Sequence, residues 1–322
     1  MASEGPDMRE AFGEALVQMG RERADLVVLD ADLNTSSRTV LFLDAFPRRF
    51  VQVGIAEQNL FGMAAGLALE GFVTVPSTFA AFACRRALDQ IAISICYPKL
   101  NVKIPGSYVG LPTSRAGASH NCIEDLAVMR SMPGMKVADP GDDNEMRAVV
   151  RAAVETPGAV YFRVTRLETQ PLPGSNAPFV WGKARIVRPG TDVTLFGTGV
   201  MTALCLDAAE LLEKHGLHAE VVHAASVKPI DGDTVAESAG RTGCAVTAEN
   251  ASILGGFGDA VTEVLAERCP VPVERIGVRD RWVDSGGIGE LFAEHRMRAS
   301  DIADAALRVV ALRDGRSAGA PV

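Results

Sequence analysis

The sequence contains no Cys-x-x-Cys pair, no concentration of Lys and Arg, and no long apolar run, and each absence closes off a class of function. Its six cysteines (Cys84, Cys96, Cys122, Cys205, Cys244 and Cys269) are scattered, without ligand-like partners at zinc spacing. They read as reduced, mostly buried small hydrophobes rather than a disulfide frame or a metal knot. Acidic residues outnumber basic ones by 40 to 32. A basic footprint for nucleic acid is therefore missing, and small molecules or other proteins are the expected partners. No stretch approaches the roughly 18 apolar residues that a membrane span requires. The opening residues, Met-Ala-Ser-Glu-Gly-Pro-Asp, lack a basic segment followed by an apolar core, so the expectation is a cytoplasmic protein with no membrane contact.

What is present is an alternation. With 322 residues, 48% of them hydrophobic, the chain can bury two cores. Short apolar runs bounded by Gly, Pro or Asp predict strands over 26–29, 50–53, 72–75, 101–104, 135–138 and 160–164. Helical patterns fill the gaps over 9–19, 57–69, 79–96, 123–130 and 143–155. The runs lack strict two-residue alternation, as expected of a parallel sheet covered by helices on both faces. The segment TQPLPGSNAP carries three prolines and a Gly-Ser-Asn turn and reads as a linker. A second alternating region follows, with strands over 193–196, 219–223, 245–248 and 273–276. The expectation is a two-domain α/β protein with parallel sheets: residues 1–168, a linker at 169–182, and residues 183–322.

The densest chemical signal is GIAEQNLFGMAAGLALEGF, residues 54–72. A strand ends at Val53, a glycine turn follows, and Glu57 enters the first turn of a helix, where the dipole favours a carboxylate. Gly62, Ala64, Ala65, Gly66 and Ala68 make that helix thin enough for a closely fitted neighbour. This stretch resembles the thiamine-dependent enzymes that include transketolases, and the Gly-Ile-Ala-Glu-Gln-Asn start is similar to transketolases in particular. The resemblance continues through Asp30-Ala31-Asp32-Leu33, Thr78-Phe79-Ala80-Ala81-Phe82, Arg86 to Ile91, Glu124-Asp125 and Pro140-Gly141-Asp142. It covers the whole first domain and, more loosely, the second.

The resemblance implies thiamine diphosphate as cofactor. It makes Glu57 the carboxylate that shares a proton with the ring nitrogen of the aminopyrimidine. Phe79 and Phe82, three apart on one predicted helical face, flank that ring, and Asp32 joins the cofactor-binding set. His120, in AGASHN, faces the substrate oxygen near the reacting carbon. Arg9, Ser36 and Arg163 hold the phosphate end of a sugar phosphate. Three positions depart from the family pattern: Ala116 stands where an aspartate is usual, Tyr108 where a His is common, and Arg85 where many transketolases have a tyrosine. The Gly-Asp-Gly segment through which the family holds Mg2+ is missing; Gly141-Asp142-Asp143, Gly232-Asp233-Thr234 and Gly258-Asp259-Ala260 each lack the second glycine. No metal is assigned to this chain. A second polypeptide, an N-terminal-type transketolase subunit carrying the diphosphate site and the Mg2+, is expected to complete it, with α2β2 as the implied assembly.

The activity implied is transfer of a two-carbon ketol unit from a ketose donor to an aldehyde acceptor. The alternatives are a β subunit of a 2-oxoacid dehydrogenase or a deoxyxylulose-phosphate-synthase-like enzyme. A dinucleotide oxidoreductase ranks low, because Gly197-Thr198-Gly199 lacks the third glycine of that fingerprint. A paralogue that only scaffolds a partner is disfavoured by the presence of Glu57, Phe79, Phe82 and His120 together.

Overall fold

The structure is a computed structural model and describes residues 7–315. In the first half the elements run α1 (Met8–Glu22), β1 (Leu26–Asp30), α2 (Asn34–Ser37), α3 (Val40–Ala45), β2 (Phe50–Gln52), α4 (Glu57–Leu69), β3 (Val73–Phe79), α5 (Ala80–Arg86), β4 (Lys103–Ser107), α6 (Asp125–Ser131), β5 (Lys136–Ala138), α7 (Asp143–Glu155) and β6 (Val160–Val164). The second half continues with β7 (Arg185–Arg188), β8 (Val193–Gly197), α8 (Met201–Glu213), β9 (Ala219–His223), β10 (Ser226–Lys228), α9 (Gly232–Thr242), β11 (Ala245–Ser252), α10 (Phe257–Arg268), β12 (Val273–Val278), α11 (Ile288–Glu294) and α12 (Ala299–Arg313).

Two mostly parallel sheets result, ordered β10-β5-β6-β4-β3-β1-β2 and β12-β11-β8-β9-β7. Strands β1, β3, β4 and β6 are buried along their whole length, as a sheet with helices on both faces requires. On one face Phe12, Leu16 and Met19 of α1 share a core with Met146, Val149 and Val150 of α7. On the other, Leu60, Phe61 and Ala64 of α4 pack with Ala81 and Cys84 of α5.

Three features differ from the sequence reading. The single helix expected over 79–96 is broken: Phe79 is the last residue of β3, α5 ends at Arg86, and Gln90–Cys96 is a π-helical turn. That widened turn leaves Ile91 and Ile95 buried while Ile93 and Tyr97 stay outside. Edge strands β7 and β10 are antiparallel, and neither has an apolar run long enough to stand out. Strand β10 also belongs to the second half yet pairs with β5 of the first sheet, so the halves interlock. The proline-rich connection is pinned rather than free. The Leu172 amide donates to Asp142 (2.6 Å), the Trp181 indole to Thr156 (2.9 Å), and the Gly182 amide to Ser226 (2.9 Å).

Candidate functional site

The carboxyl ends of the parallel strands in the first sheet lie along one edge, the usual place for a ligand in such sheets. Asp32 follows β1, Glu57 follows β2, Phe79 closes β3, Tyr108 follows β4, and Arg166 lies just past β6. Gly54, at φ +72°, makes the turn that leads from β2 into α4. This turn sets Glu57 at the first position of α4, only 6% exposed.

A continuous strip of contacts starts at that carboxylate. Arg86 donates to Glu57 Oε1 at 2.7 Å, and its guanidinium lies 4.0 Å from the centre of the Phe82 ring. Phe82 and Phe79 stack at 5.5 Å, and Phe79 stacks on Tyr108 at 4.1 Å. His120 stands edge-on to both phenylalanines, 5.3 Å from Phe82 and 5.9 Å from Phe79. Its Nδ1 lies 2.8 Å from the Ser119 hydroxyl. Phe79, Phe82 and His120 thus pack together, and Arg86 links them to Glu57, as many as 63 positions away in sequence. Beside this cluster the hydroxyls of Ser77, Thr78 and Ser107, on β3 and β4, are buried without a hydrogen-bond partner. Such groups are uncommon, and they fit an edge that receives a polar ligand.

Beyond Tyr108 the strip reaches two arginines. Arg9 donates to the Tyr108 hydroxyl (3.3 Å) and to the Ser36 carbonyl (3.2 Å), and pairs with Asp7. Burial works against the charge on Arg9, but Asp7 and Tyr108 more than offset it, and the Arg9 pKa lies above its usual value. The guanidinium carbons of Arg9 and Arg166 lie 5.8 Å and 5.4 Å from the centre of the Tyr108 ring. Both arginines line a cavity of about 500 Å3 together with Thr169, Gln170 and Ile288 and the acidic Asp7, Glu168 and Asp207.

Arg163, expected at this anionic end, is elsewhere. It is 1% exposed, clamps Asp125 through two nitrogens at 2.6 and 2.7 Å, reaches Asp139 at 3.3 Å, and donates to the Asn250 carbonyl of the second half. An arginine inside a fully buried strand must be paired internally, and four of the five N–H donors of Arg163 are already engaged, away from solvent. Arg166 faces the cavity instead; its one sequence signal was its position just past a parallel strand. Ser36 enters through its carbonyl, and Asp32, exposed at φ +64°, donates its amide to Gln52 Oε1 at 2.8 Å. Arg86 was missed as the partner of Glu57, because nothing local couples residues 29 apart.

The aspartates of the three incomplete Gly-Asp-Gly segments are already engaged. Asp142 accepts from the Glu145 and Leu172 amides, Asp233 pairs with Arg268, and Asp259 pairs with Arg275. Among the described residues no helix is long and apolar enough to cross a membrane.

Comparison with known proteins places the chain in a family. Residues 4–171 match the family model "Transketolase, pyrimidine binding domain", and residues 182–302 match "Transketolase, C-terminal domain". The chain is 40% identical over 309 residues to the 6-deoxy-6-sulfo-D-fructose transketolase subunit SqwH of Clostridium sp. (strain MSTE9), covering 96% of each. It is 35% identical over 306 residues to an apulose-4-phosphate transketolase subunit of Phocaeicola vulgatus, covering 94% of this chain and 97% of that one. A solved structure titled "Split gene transketolase, inactive beta4 tetramer" superposes with a TM-score of 0.90 at 45% identity, over 96% of this chain and all of that one. The fold and these matches together define a subunit of the thiamine-diphosphate-dependent transketolase class. The chain belongs to the transketolase family and corresponds to its pyrimidine-binding and C-terminal domains; it is a transketolase-like transferase.

Proposed function

We propose that this chain is the pyrimidine-binding subunit of a split transketolase that moves a two-carbon ketol unit from an anionic ketose to an aldehyde. The observation that carries the reading is Glu57: a buried carboxylate at a helix start, joined through Arg86 to the cluster of Phe79, Phe82 and His120.

Thiamine diphosphate, when bound, supplies the carbon nucleophile and the electron sink for the ketol fragment. Glu57 holds a proton against the ring nitrogen of the aminopyrimidine, and Arg86 keeps the carboxylate oriented through Oε1. Phe82 offers its ring face to the heterocycle, backed by Phe79, and the stacked rings keep water from the nitrogen. His120, fixed edge-on to them, donates to or accepts from the donor oxygen at the reacting carbon. Asp32 borders the same turn. Arg9 and Arg166 hold the substrate's anionic end, with Ser36 positioning Arg9. The relatives whose names contain a sulfo sugar and a sugar phosphate agree with an anionic ketose. Ala116 leaves no carboxylate at its position, which favours a donor unlike the usual one.

A partner chain supplies the diphosphate and Mg2+ sites, in an α2β2 assembly. The surface for it is at hand. Ile55, Leu69, Ile93 and Tyr97 are exposed around α4 and the π turn, and a Cβ added at Gly62 or Gly66 would meet nothing of this chain. Six free cysteines fit the reducing cytoplasm, and the reaction belongs to carbohydrate metabolism.

The test is Glu57→Gln in the complex reconstituted with its partner. Turnover is expected to fall by about 100-fold or more, while size-exclusion chromatography shows the assembly intact. Unchanged turnover would end the assignment.

A further inference from the structure

The loop that carries His120 has little to stiffen it: Ala116-Gly117-Ala118-Ser119 offers no bulky side chain. Gly117 accepts from the His120 and Asn121 amides at 3.0 and 2.9 Å, closing a short turn. Among the described residues, the side-chain hydrogen bonds that reach this turn from outside it come from one residue. Arg85, at the end of α5, donates to the Ala118 carbonyl (2.9 Å) and to the Asn121 carbonyl (3.0 Å), one on each side of His120. Its remaining donors grip Glu124 at 2.5 and 3.2 Å. Its guanidinium carbon lies 5.5 Å from the centre of the Trp282 ring in the second half, beside Ser285, whose hydroxyl packs against Gly117.

The placement on α5 matters as much as the bonds. Arg85 is three residues after Phe82, so both project from neighbouring points of the same short helix. A fork that holds the turn from the helix carrying Phe82 fixes the imidazole relative to that ring. Two parallel donors define direction as well as distance, which one ammonium or a tyrosine hydroxyl in this position does not do. We infer that Arg85 is a positioning residue: it holds the His120 turn at a set distance from the Phe82 ring and joins it to the 280–286 loop. This rests on the reading of His120 as the group that meets the donor oxygen.

The test is a double-mutant cycle in the reconstituted complex, using Arg85→Ala, Arg85→Lys, His120→Ala and the two double variants. If Arg85→Ala fails to assemble, Arg85→Lys carries the cycle, since it keeps the charge and helix propensity and loses only the fork. Each Arg85 variant is expected to lower kcat/KM for the donor roughly 10- to 100-fold, and to add nothing to the loss in His120→Ala. Added guanidinium should restore part of the activity of Arg85→Ala and none of that of His120→Ala. Hydrogen exchange in the same complexes should accelerate at the His120 and Asn121 amides. Wild-type activity in both Arg85 variants overturns the inference, as does a loss that adds to that of His120→Ala, or unchanged exchange at those amides. Wild-type turnover in His120→Ala sinks the reading of the histidine instead. In that case exchange alone judges the clamp.

Discussion

Two arginines three residues apart show how much burial decides at the scale of a single side chain. Arg163 sits inside β6 and spends its donors on Asp125, Asp139 and the Asn250 carbonyl; Arg166 lies just past the strand and faces the cavity. Arg163→Met is expected to cost roughly 3–5 kcal/mol, because Asp125 and Asp139 lose their buried counter-charge. Denaturant unfolding of the purified chain reads that loss directly. Arg166→Met should leave stability within about 0.5 kcal/mol of the parent. It should raise KM for an anionic ketose about tenfold, the size of one charge-assisted hydrogen bond. A reversal of these two effects would return the anionic role to Arg163.

At the scale of elements, α4 has two faces with different assignments. Leu60, Phe61, Ala64 and Ala65 are buried in the core, while Gly62, Met63 and Gly66 look outward. A Cβ added at Gly62 meets no atom of its own chain within 4 Å, so Gly62→Leu starts from open space. Its stability should change by no more than about 1 kcal/mol, the gain from removing a helical glycine, while association with the diphosphate-binding chain is abolished. Calorimetric titration of one subunit into the other separates the two effects. The small-residue spacing of α4 was legible in the sequence because helical periodicity is a local property. The break between α5 and the π turn was not. Its apolar pattern suits a continuous helix, and only packing against the sheet favours re-aiming Ile91 and Ile95 into the core.

For the molecule as a whole, buried carboxyls lie where the two halves meet. Burial pushes Asp139 up to about 6 despite Arg163, with Asp125 adding to the rise. Burial likewise pushes Glu249 up to about 7 against hydrogen bonds from the Gly258 and Phe257 amides. Burial would raise Glu145 too, but His223 and Arg185 hold it down at about 2. A carboxyl with a raised pKa stabilises the fold while it is protonated, and that contribution is lost as pH climbs through the folded-state value. The stability from Glu145 runs the other way and is lost as pH falls below its unfolded value. From these three groups stability should therefore peak near about pH 4 and decline towards about pH 7. Asp139→Asn should flatten the part of that decline below about pH 6, as unfolding midpoints across buffers would show.

The residues alone determined the parallel α/β architecture and the acid at the start of a small-residue helix; the grouping of Phe79, Phe82 and His120 with it came through the resemblance to transketolases. Each of these is encoded within a window of some 20 residues, or in motifs that keep their spacing. Tertiary structure decided the rest: which arginine meets the cavity, that Arg86 holds Glu57, that Arg85 reaches the His120 loop, and that β10 crosses to the first sheet. All four depend on partners that the chain brings together only after tens of residues have been folded between them, where pattern carries no distance and only burial and pairing choose.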